Sequence, residues 1–118
     1  KVVYANSGIS YNHRYKTTCD TRVVTLPIGY GDGYRRGLSN LGEVIIRGHK
    51  YIISGTICMD MLMVDIGASG EAYVGDEAVL IGSPGELEIT LASIAEKLHS
   101  IVYEVLVGFN ERIPRVYY

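Results

Sequence analysis

Apolar and polar positions alternate in short runs over the first two thirds of the chain, which is a pattern typical of β-strands. Residues 21–30 form a compact apolar run that ends at a Pro-Ile-Gly break. Residues 43–55 place two apolar runs around Arg47-Gly48-His49-Lys50, and this arrangement predicts a β-hairpin whose turn uses the glycine. Further short strands are predicted at 8–10, 56–67, 75–82, 86–90 and 112–118, the last at an edge or irregular position because it contains Pro114.

Helical periodicity appears only late in the chain. Thr90 is expected to cap the N-terminus of a helix that begins at residue 91. Residues 101–110 fit either a second short helix capped by Ser100 or a strand. The predicted fold is therefore mainly β, a small β-barrel or sandwich with one or two short helices near the C-terminus. One face of the first helix carries Leu91, Ile94, Ala95 and Leu98.

Composition narrows the possible functions. The 118 residues indicate one domain, and 47% hydrophobic and 20% charged residues are typical of a globular protein. A net charge of −2 argues against a dedicated nucleic-acid-binding protein, which usually carries a basic stripe. No segment approaches the run of about 18 apolar residues that spans a membrane. We therefore expect neither nucleic acid nor a membrane as a partner, and small-molecule chemistry stays open.

Histidines and cysteines show no metal-ligand spacing. His13, His49 and His99 are far apart, and neither Cys19 nor Cys58 lies near another cysteine or histidine at the spacing of a zinc site. We expect no metal site. The two cysteines fit reduced thiols in an intracellular protein and equally fit one disulfide.

The N-terminus has neither an initiator methionine nor the pattern of a signal peptide. Lys1 begins within a strand-like phrase, "KVVYANSG". We therefore expect the chain to be a single domain cut from a longer protein.

A tyrosine followed by cationic residues is the first candidate for chemistry. Tyr11 follows a short β-type run and precedes His13, Arg14 and Lys16. A phenol has a pKa of about 10, and nearby positive charge favours its ionised form. These residues alone fit a general base and also fit an ordinary half-buried strand tyrosine.

The densest loop, "IGYGDGYRRG" at 28–37, alternates glycines with Tyr30, Asp32 and Tyr34 and continues into Arg35 and Arg36. It fits a loop whose backbone approaches a ligand closely, as in a phosphate cradle, and also fits a glycine-rich turn with solvated arginines. The G-x-G-x-G spacing differs from that of the dinucleotide-binding fingerprint.

A second candidate, "GTICMDM" at 55–61, places Met59 and Asp60 in a run that is otherwise apolar. A carboxylate in such a run needs a partner. We expect Asp60 either to pair with an arginine or to lie at a strand end.

Three phrases, "ISYNHRY", "LPIGYGDGYRR" and "GTICMDMLMVDI", occur in this order and are followed by "RIPRVY". Together they resemble the C-terminal domain of bacterial alanine racemases from Val2 to Tyr118. The resemblance implies an N-terminal (β/α)8 barrel, absent from this chain, that carries pyridoxal 5′-phosphate on a lysine. It also implies a cytoplasmic homodimer in which two chains pair head to tail and each active site combines both chains.

The resemblance also implies roles for individual residues. Tyr11 is similar to the tyrosine base, and Met59 to the residue whose backbone helps to bind the substrate carboxylate. The residues similar to those of the corridor that leads to the site are Tyr30, Asp32, Arg36 and Asp60.

The implied activity is an isomerase reaction, the interconversion of L- and D-alanine for D-alanine biosynthesis and peptidoglycan precursors. The chain departs from the family pattern at Asn12, at Thr56, where several members carry arginine, and at Glu111, where some carry tyrosine. A serine-preferring racemase on the same scaffold is therefore an alternative. A non-catalytic binding or dimerisation module and a standalone ligand-binding barrel are others. Without the barrel lysine, the isolated chain is expected to be inactive.

Overall fold

Three small antiparallel sheets account for the strands of the computed structural model, which describes residues 1–4, 6–10, 15–17 and 19–117. Two short helices follow the last strand, α1 (Leu91–Lys97) and α2 (Val102–Gly108). The strands are β1 (Val2–Val3), β2 (Gly8–Ile9), β3 (Tyr15–Lys16), β4 (Thr21–Leu26), β5 (Glu43–Ile46), β6 (His49–Ile52), β7 (Leu62–Gly67) and β8 (Ala78–Val79).

The two larger sheets continue into each other. One has the strand order β1-β4-β7 and the other β6-β5-β8, while β2 and β3 pair separately. Beyond the end of β6, Ile53 forms a bridge with Val64 of β7, and the Ser54 N–H donates to the Met63 carbonyl oxygen at 2.8 Å. The fold is thus mainly β with two short helices near the C-terminus, as the sequence predicts.

The core lies between these sheets and the two helices. In β7 alternate residues Leu62, Val64 and Ile66 are buried, as expected of a strand with one face towards the core. Strand β5 instead buries three successive residues, and Ile94 of α1 and Val105 of α2 complete the same cluster.

Local signals explain the predictions that the structure confirms. The hairpin of β5 and β6 turns at Arg47 and Gly48, whose φ angles of 49° and 78° are those of a type I′ turn. The Thr90 side chain caps α1 by accepting from the Ser93 N–H at 3.0 Å. The ambiguous segment 101–110 contains a helix, but its N-cap is Ile101 and not Ser100.

Several predicted strands are wrong in extent. The strand predicted at 21–30 ends at Leu26, and the strand predicted at 56–67 begins only at Leu62. The backbones of residues 30–31 and 58–59 hydrogen-bond to each other, so both segments turn there instead of continuing as strands. The strand at 75–82 shrinks to β8, and the segment 86–90 contributes a single bridge between Ile89 and Gly82. Residues 112–117 form no strand, which fits the lack of an N–H on Pro114.

Among the described residues, no helix has the length and apolar character that crossing a membrane requires.

Candidate functional site

Two turns that are distant in sequence pack against each other at the centre of the candidate site. The first, residues 29–33, contains the 3-10 helix Tyr30–Asp32, and the second, residues 58–61, is closed by a hydrogen bond from the Cys58 N–H to the Met61 carbonyl. The N–H of Tyr30 donates to the Cys58 carbonyl at 3.0 Å, and the N–H of Gly31 donates to the Met59 carbonyl at 2.9 Å. We call these two segments the paired turns.

Glycine makes this close approach possible. A Cβ atom on Gly29 would overlap the Cys58 carbonyl oxygen and would lie 2.6 Å from the Met59 carbonyl carbon. A Cβ on Gly31 would lie 2.9 Å from Cγ of Met59. Gly29 and Gly31 therefore serve the contact with the second turn, because a side chain at either position would separate the two backbones.

The paired turns also orient the N–H group of Met59. In a trans peptide the N–H points opposite to the carbonyl oxygen of the same peptide plane. Since the Cys58 carbonyl faces Tyr30, the Met59 N–H points away from the first turn, and no described residue accepts a hydrogen bond from it. The arrangement presents a backbone donor to an external acceptor such as a carboxylate.

A cavity of about 400 Å³ lies beside this donor. It brings together three of the predicted site residues, Tyr30, Arg36 and Met59. Tyr30 and Met59 are 42% and 51% exposed. The Arg36 side chain is also exposed and forms no ion pair with a described residue, so its charge is available to an anionic ligand. Thr56, Ile57 and Cys58 complete the lining.

The other two predicted corridor residues, Asp32 and Asp60, do not line the cavity; they meet Arg112. Nη2 of Arg112 lies 2.5 Å from Oδ1 of Asp60, and its Nε lies 3.4 Å from Oδ1 of Asp32. The hydrogen bond to Asp60 and the charge of Asp32 raise the pKa of Arg112. The arginine partner expected for Asp60 is thus present, whereas Glu111 is exposed beside it.

Asn110 fastens the same C-terminal segment to the first turn. Its side-chain amide donates to the Gly31 carbonyl at 2.7 Å, and its Oδ1 accepts from the Arg112 N–H at 3.0 Å. The sequence alone does not predict Asn110 or Arg112 as site residues. Their partners lie far away in sequence, and the "RIPRVY" phrase was the only signal that pointed to this segment.

The predicted base, Tyr11, lies outside the described residues, as do His13 and Arg14. The preceding residue, Ser10, is described and lies next to the cavity lining. The Ser10 hydroxyl donates to the Thr56 carbonyl at the cavity, and its oxygen lies 3.6 Å from Sγ of Cys58. Gly55, with a φ of 87°, permits this contact, since a Cβ there would lie 2.6 Å from the Ile9 carbonyl oxygen.

The residue that follows the stretch 11–14 is anchored as well. The Tyr15 hydroxyl donates to Oδ2 of Asp65 at 3.0 Å, while Oδ1 of Asp65 accepts from the Thr21 hydroxyl and, at 2.9 Å, from the Gly67 N–H. Burial and the hydrogen bond to Asp65 raise the pKa of Tyr15. Tyr15 is therefore a neutral hydrogen-bond donor at physiological pH, not a candidate base.

The two phenols of the 28–37 loop differ in environment. Tyr30 is partly exposed at the cavity, whereas Tyr34 is 1% exposed and belongs to the core. Burial, with a smaller contribution from the charge of Glu43, raises the pKa of Tyr34 well above its usual value. Tyr34 is therefore a structural residue.

Comparison with known proteins points to one family. The family model described as "Alanine racemase, C-terminal domain" matches residues 1–117. The alanine racemase of Halothermothrix orenii is 46% identical over 117 residues, which cover 99% of this chain and 31% of that protein. The alanine racemase of Carboxydothermus hydrogenoformans is 44% identical, with 99% and 32% covered. The chain thus spans about a third of the length of these relatives.

Solved structures agree. Alanine racemase from D-cycloserine-producing Streptomyces lavendulae superposes with a TM-score of 0.93 at 39% identity, covering 100% of this chain and 31% of that chain. The Bacillus anthracis alanine racemase with bound L-Ala-P gives a TM-score of 0.91 at 34% identity, with 98% and 29% covered.

Proposed function

Because the chain belongs to the alanine racemase C-terminal domain family, we propose that it is the C-terminal β-domain of a racemase that interconverts L- and D-alanine for peptidoglycan precursors. The observation that carries the proposal is the Met59 N–H, which the paired turns leave without a described acceptor beside the cavity. A backbone N–H is a suitable partner for an amino-acid carboxylate.

The cofactor of this proposal, pyridoxal 5′-phosphate, belongs to another part of the full-length protein. None of the four lysines, Lys1, Lys16, Lys50 and Lys97, lines the cavity. Lys97 pairs with Glu43 at 3.0 Å, and Lys50 donates to the Glu88 carbonyl at 2.9 Å. The residues of this chain thus do not fit a Schiff-base site. A preceding (β/α)8 barrel would hold the cofactor, which supplies an electron sink for the α-carbon.

Tyr11 is the proposed base on one face of the substrate. Racemisation requires that a proton leave one face of the α-carbon and that another be delivered to the opposite face. Ser10 is fixed to the Thr56 backbone at the cavity, and Tyr15 is fixed to Asp65, so the chain enters and leaves the stretch 11–14 from anchored positions. These anchors support a role for the Tyr11 hydroxyl in removing the α-proton of L-alanine.

Met59 and the corridor residues serve binding in this proposal. The Met59 N–H donates a hydrogen bond to the substrate carboxylate, and the exposed Arg36 attracts that carboxylate towards the cavity. The Tyr30 ring lines the cavity and forms part of the corridor through which the substrate would enter. Asp32 and Asp60 contribute through Arg112, because their carboxylates are turned to that guanidinium.

A head-to-tail homodimer in the cytoplasm completes the proposal. The exposed Tyr30 and Met59 side chains form an apolar surface at the cavity mouth, next to Met61, which is 41% exposed. Such a surface suits coverage by a second protein surface. The preceding barrel of the partner chain would cover it and close the active site.

The test follows α-proton exchange of L- and D-alanine in D2O with the full-length protein and its Tyr11→Phe variant. We expect the variant to lose exchange from L-alanine while exchange from D-alanine survives better. Tyr103→Phe, at a tyrosine on α2 that is 77% exposed, is the control. Unchanged exchange of both enantiomers in Tyr11→Phe would assign the phenol a structural role and refute the proposal for this residue.

A serine-preferring racemase is the second candidate, and Thr56 favours it. Thr56 is 2% exposed, lines the cavity, and its hydroxyl has no hydrogen-bond partner among the described residues. A small hydroxyl-bearing residue replaces the arginine of several family members there. The ratio of L-serine to L-alanine turnover decides between the two candidates. Absence of exchange with either amino acid would favour the non-catalytic module.

A further inference from the structure

One arginine side chain contacts a carboxylate from each of the paired turns. Arg112 bonds Asp60 of the second turn at 2.5 Å and Asp32 of the first turn at 3.4 Å. Its own N–H is held by Asn110, whose amide binds the first turn at the Gly31 carbonyl. Arg112 therefore has a fixed base and two anionic contacts.

We propose that Arg112 is a positioning residue for the substrate carboxylate, acting through the paired turns to hold the Met59 N–H in its binding orientation. This inference rests on the proposed function. Arg112 does not line the cavity and has no contact with the place that the substrate would occupy. Its effect must be transmitted by Asp60, which directly follows Met59, and by Asp32.

Each of the two carboxylates is connected to the backbone that sets the orientation of the Met59 N–H. Asp60 is joined to Met59 through the peptide whose carbonyl accepts from the Gly31 N–H. Oδ2 of Asp32 accepts from the Gly29 N–H at 3.1 Å, and Gly29 lies directly against the Cys58 carbonyl. A shift of either carboxylate therefore displaces one side of the turn contact.

Charge explains why a cation is needed at this point. Asp32 and Asp60 converge on a single guanidinium, and without it two like charges would face each other across the paired turns. The two backbone hydrogen bonds between the turns would then have to oppose this repulsion without the bridging cation. Loss of Arg112 should separate the turns, and loss of one carboxylate charge as well should relieve part of that effect.

The experiment measures binding of propionate to the full-length protein loaded with its cofactor. Propionate carries the methyl and carboxylate groups of alanine but lacks the amine, and ethylamine carries the amine without the carboxylate. We expect Arg112→Gln to raise the Kd of propionate by about tenfold, the loss expected for one weakened hydrogen bond to a charged group. The Kd of ethylamine should stay within about twofold of the wild-type value, a change that corresponds to less than 0.5 kcal/mol.

Three further variants sharpen the result. Arg115→Gln is the matched control, because Arg115 lies in the same segment and its hydrogen bonds to described residues go to the carbonyls of Asn110 and Ile113, not to the paired turns. Arg112→Lys should recover part of the propionate affinity through its charge. Combining Arg112→Gln with Asp60→Asn should bind propionate more tightly than Arg112→Gln alone, since the repulsion is reduced. Thermal unfolding of each variant identifies any that do not fold.

The outcomes separate this inference from the function on which it rests. If Arg112→Gln matches Arg115→Gln, or if both ligands weaken equally, Arg112 has no positioning role although alanine racemisation stands. If the wild-type protein binds propionate with the expected dependence on Arg112 but does not racemise alanine, the proposed function fails alone. If the wild-type protein racemises alanine but does not bind propionate, the inference fails alone, and if it does neither, both are refuted.

Discussion

At the scale of single residues, burial assigns different roles to side chains of the same type. Tyr30 and Tyr34 are four positions apart, yet only Tyr30 reaches the cavity. The Tyr34 hydroxyl is buried without a hydrogen-bond partner among the described residues, and a Cβ on Gly42 would collide with it. A buried hydroxyl without a partner is costly, so Tyr34 stabilises the core through its ring alone.

Tyr34→Phe should therefore leave the free energy of unfolding unchanged or raise it by up to about 1 kcal/mol at pH 7. The raised pKa of folded Tyr34 means that the unfolded chain loses this proton first, at a pH of about 10. The contribution of the neutral Tyr34 hydroxyl to the free energy of unfolding is complete below that pH and is lost as the pH rises towards the pKa of the folded state. The variant lacks this group, so its free energy of unfolding should fall less at alkaline pH. Urea denaturation at neutral and alkaline pH measures both effects.

The control is Tyr117→Phe, at a tyrosine that is 89% exposed. A loss of more than about 1 kcal/mol in Tyr34→Phe would show that the hydroxyl makes a hydrogen bond in the folded protein.

At the scale of elements, the short strands β2 and β3 frame the stretch that contains Tyr11. Ser10 follows β2 and is bonded to the Thr56 carbonyl, while Tyr15 in β3 is bonded to Asp65 of β7. The pairing of β2 with β3 covers only two residues on each strand. The side-chain bonds of Ser10 and Tyr15 to the neighbouring segments therefore do much to anchor the residues on either side of this stretch.

Tyr15→Phe removes the hydroxyl that reaches Asp65 and keeps the ring. We expect a loss of about 1 kcal/mol in the free energy of unfolding. In the full-length protein, exchange of the α-proton of L-alanine should slow several-fold more than exchange from D-alanine, because the anchor acts on the proposed L-face base. Deuterium incorporation followed for each enantiomer separately provides the measurement.

Tyr51→Phe, at a half-buried tyrosine in β6, is the matched control. Equal slowing of both enantiomers in Tyr15→Phe would mean that the anchor supports the fold without acting through Tyr11.

At the scale of the whole molecule, the candidate site is open on one side. Tyr30, Met59 and Met61 remain partly exposed around the Met59 N–H, and no lysine of the chain lines the cavity. The chain covers about a third of its relatives. Under the proposed function, the remaining catalytic groups belong to the rest of the full-length protein.

The isolated chain is therefore expected to exchange no α-protons of alanine, even with pyridoxal 5′-phosphate added. Mixing it with the separately produced preceding region should restore part of the exchange seen with the full-length protein, which is the positive control. Exchange of either enantiomer catalysed by the isolated chain would contradict the assignment of the cofactor lysine to the preceding region.

Local signals in the sequence determined the elements that depend on neighbouring residues. The alternating burial of β7 follows from the two-residue repeat of a strand, and the Arg47-Gly48 turn follows from backbone sterics. The Thr90 cap follows from a side-chain hydrogen bond that spans three positions. The four phrases of the sequence determined the family. The same phrases predict Met59 as a candidate residue for binding the substrate carboxylate.

Only the tertiary structure decided where distant segments meet. Residues 56–61 look like part of a strand, but the first turn takes up the Cys58 and Met59 carbonyls, so the segment turns instead. Arg112 reaches Asp60 across 52 positions in sequence. No local pattern encodes either contact, because a backbone carbonyl or a carboxylate pairs with whichever donor the packing of the core brings to it.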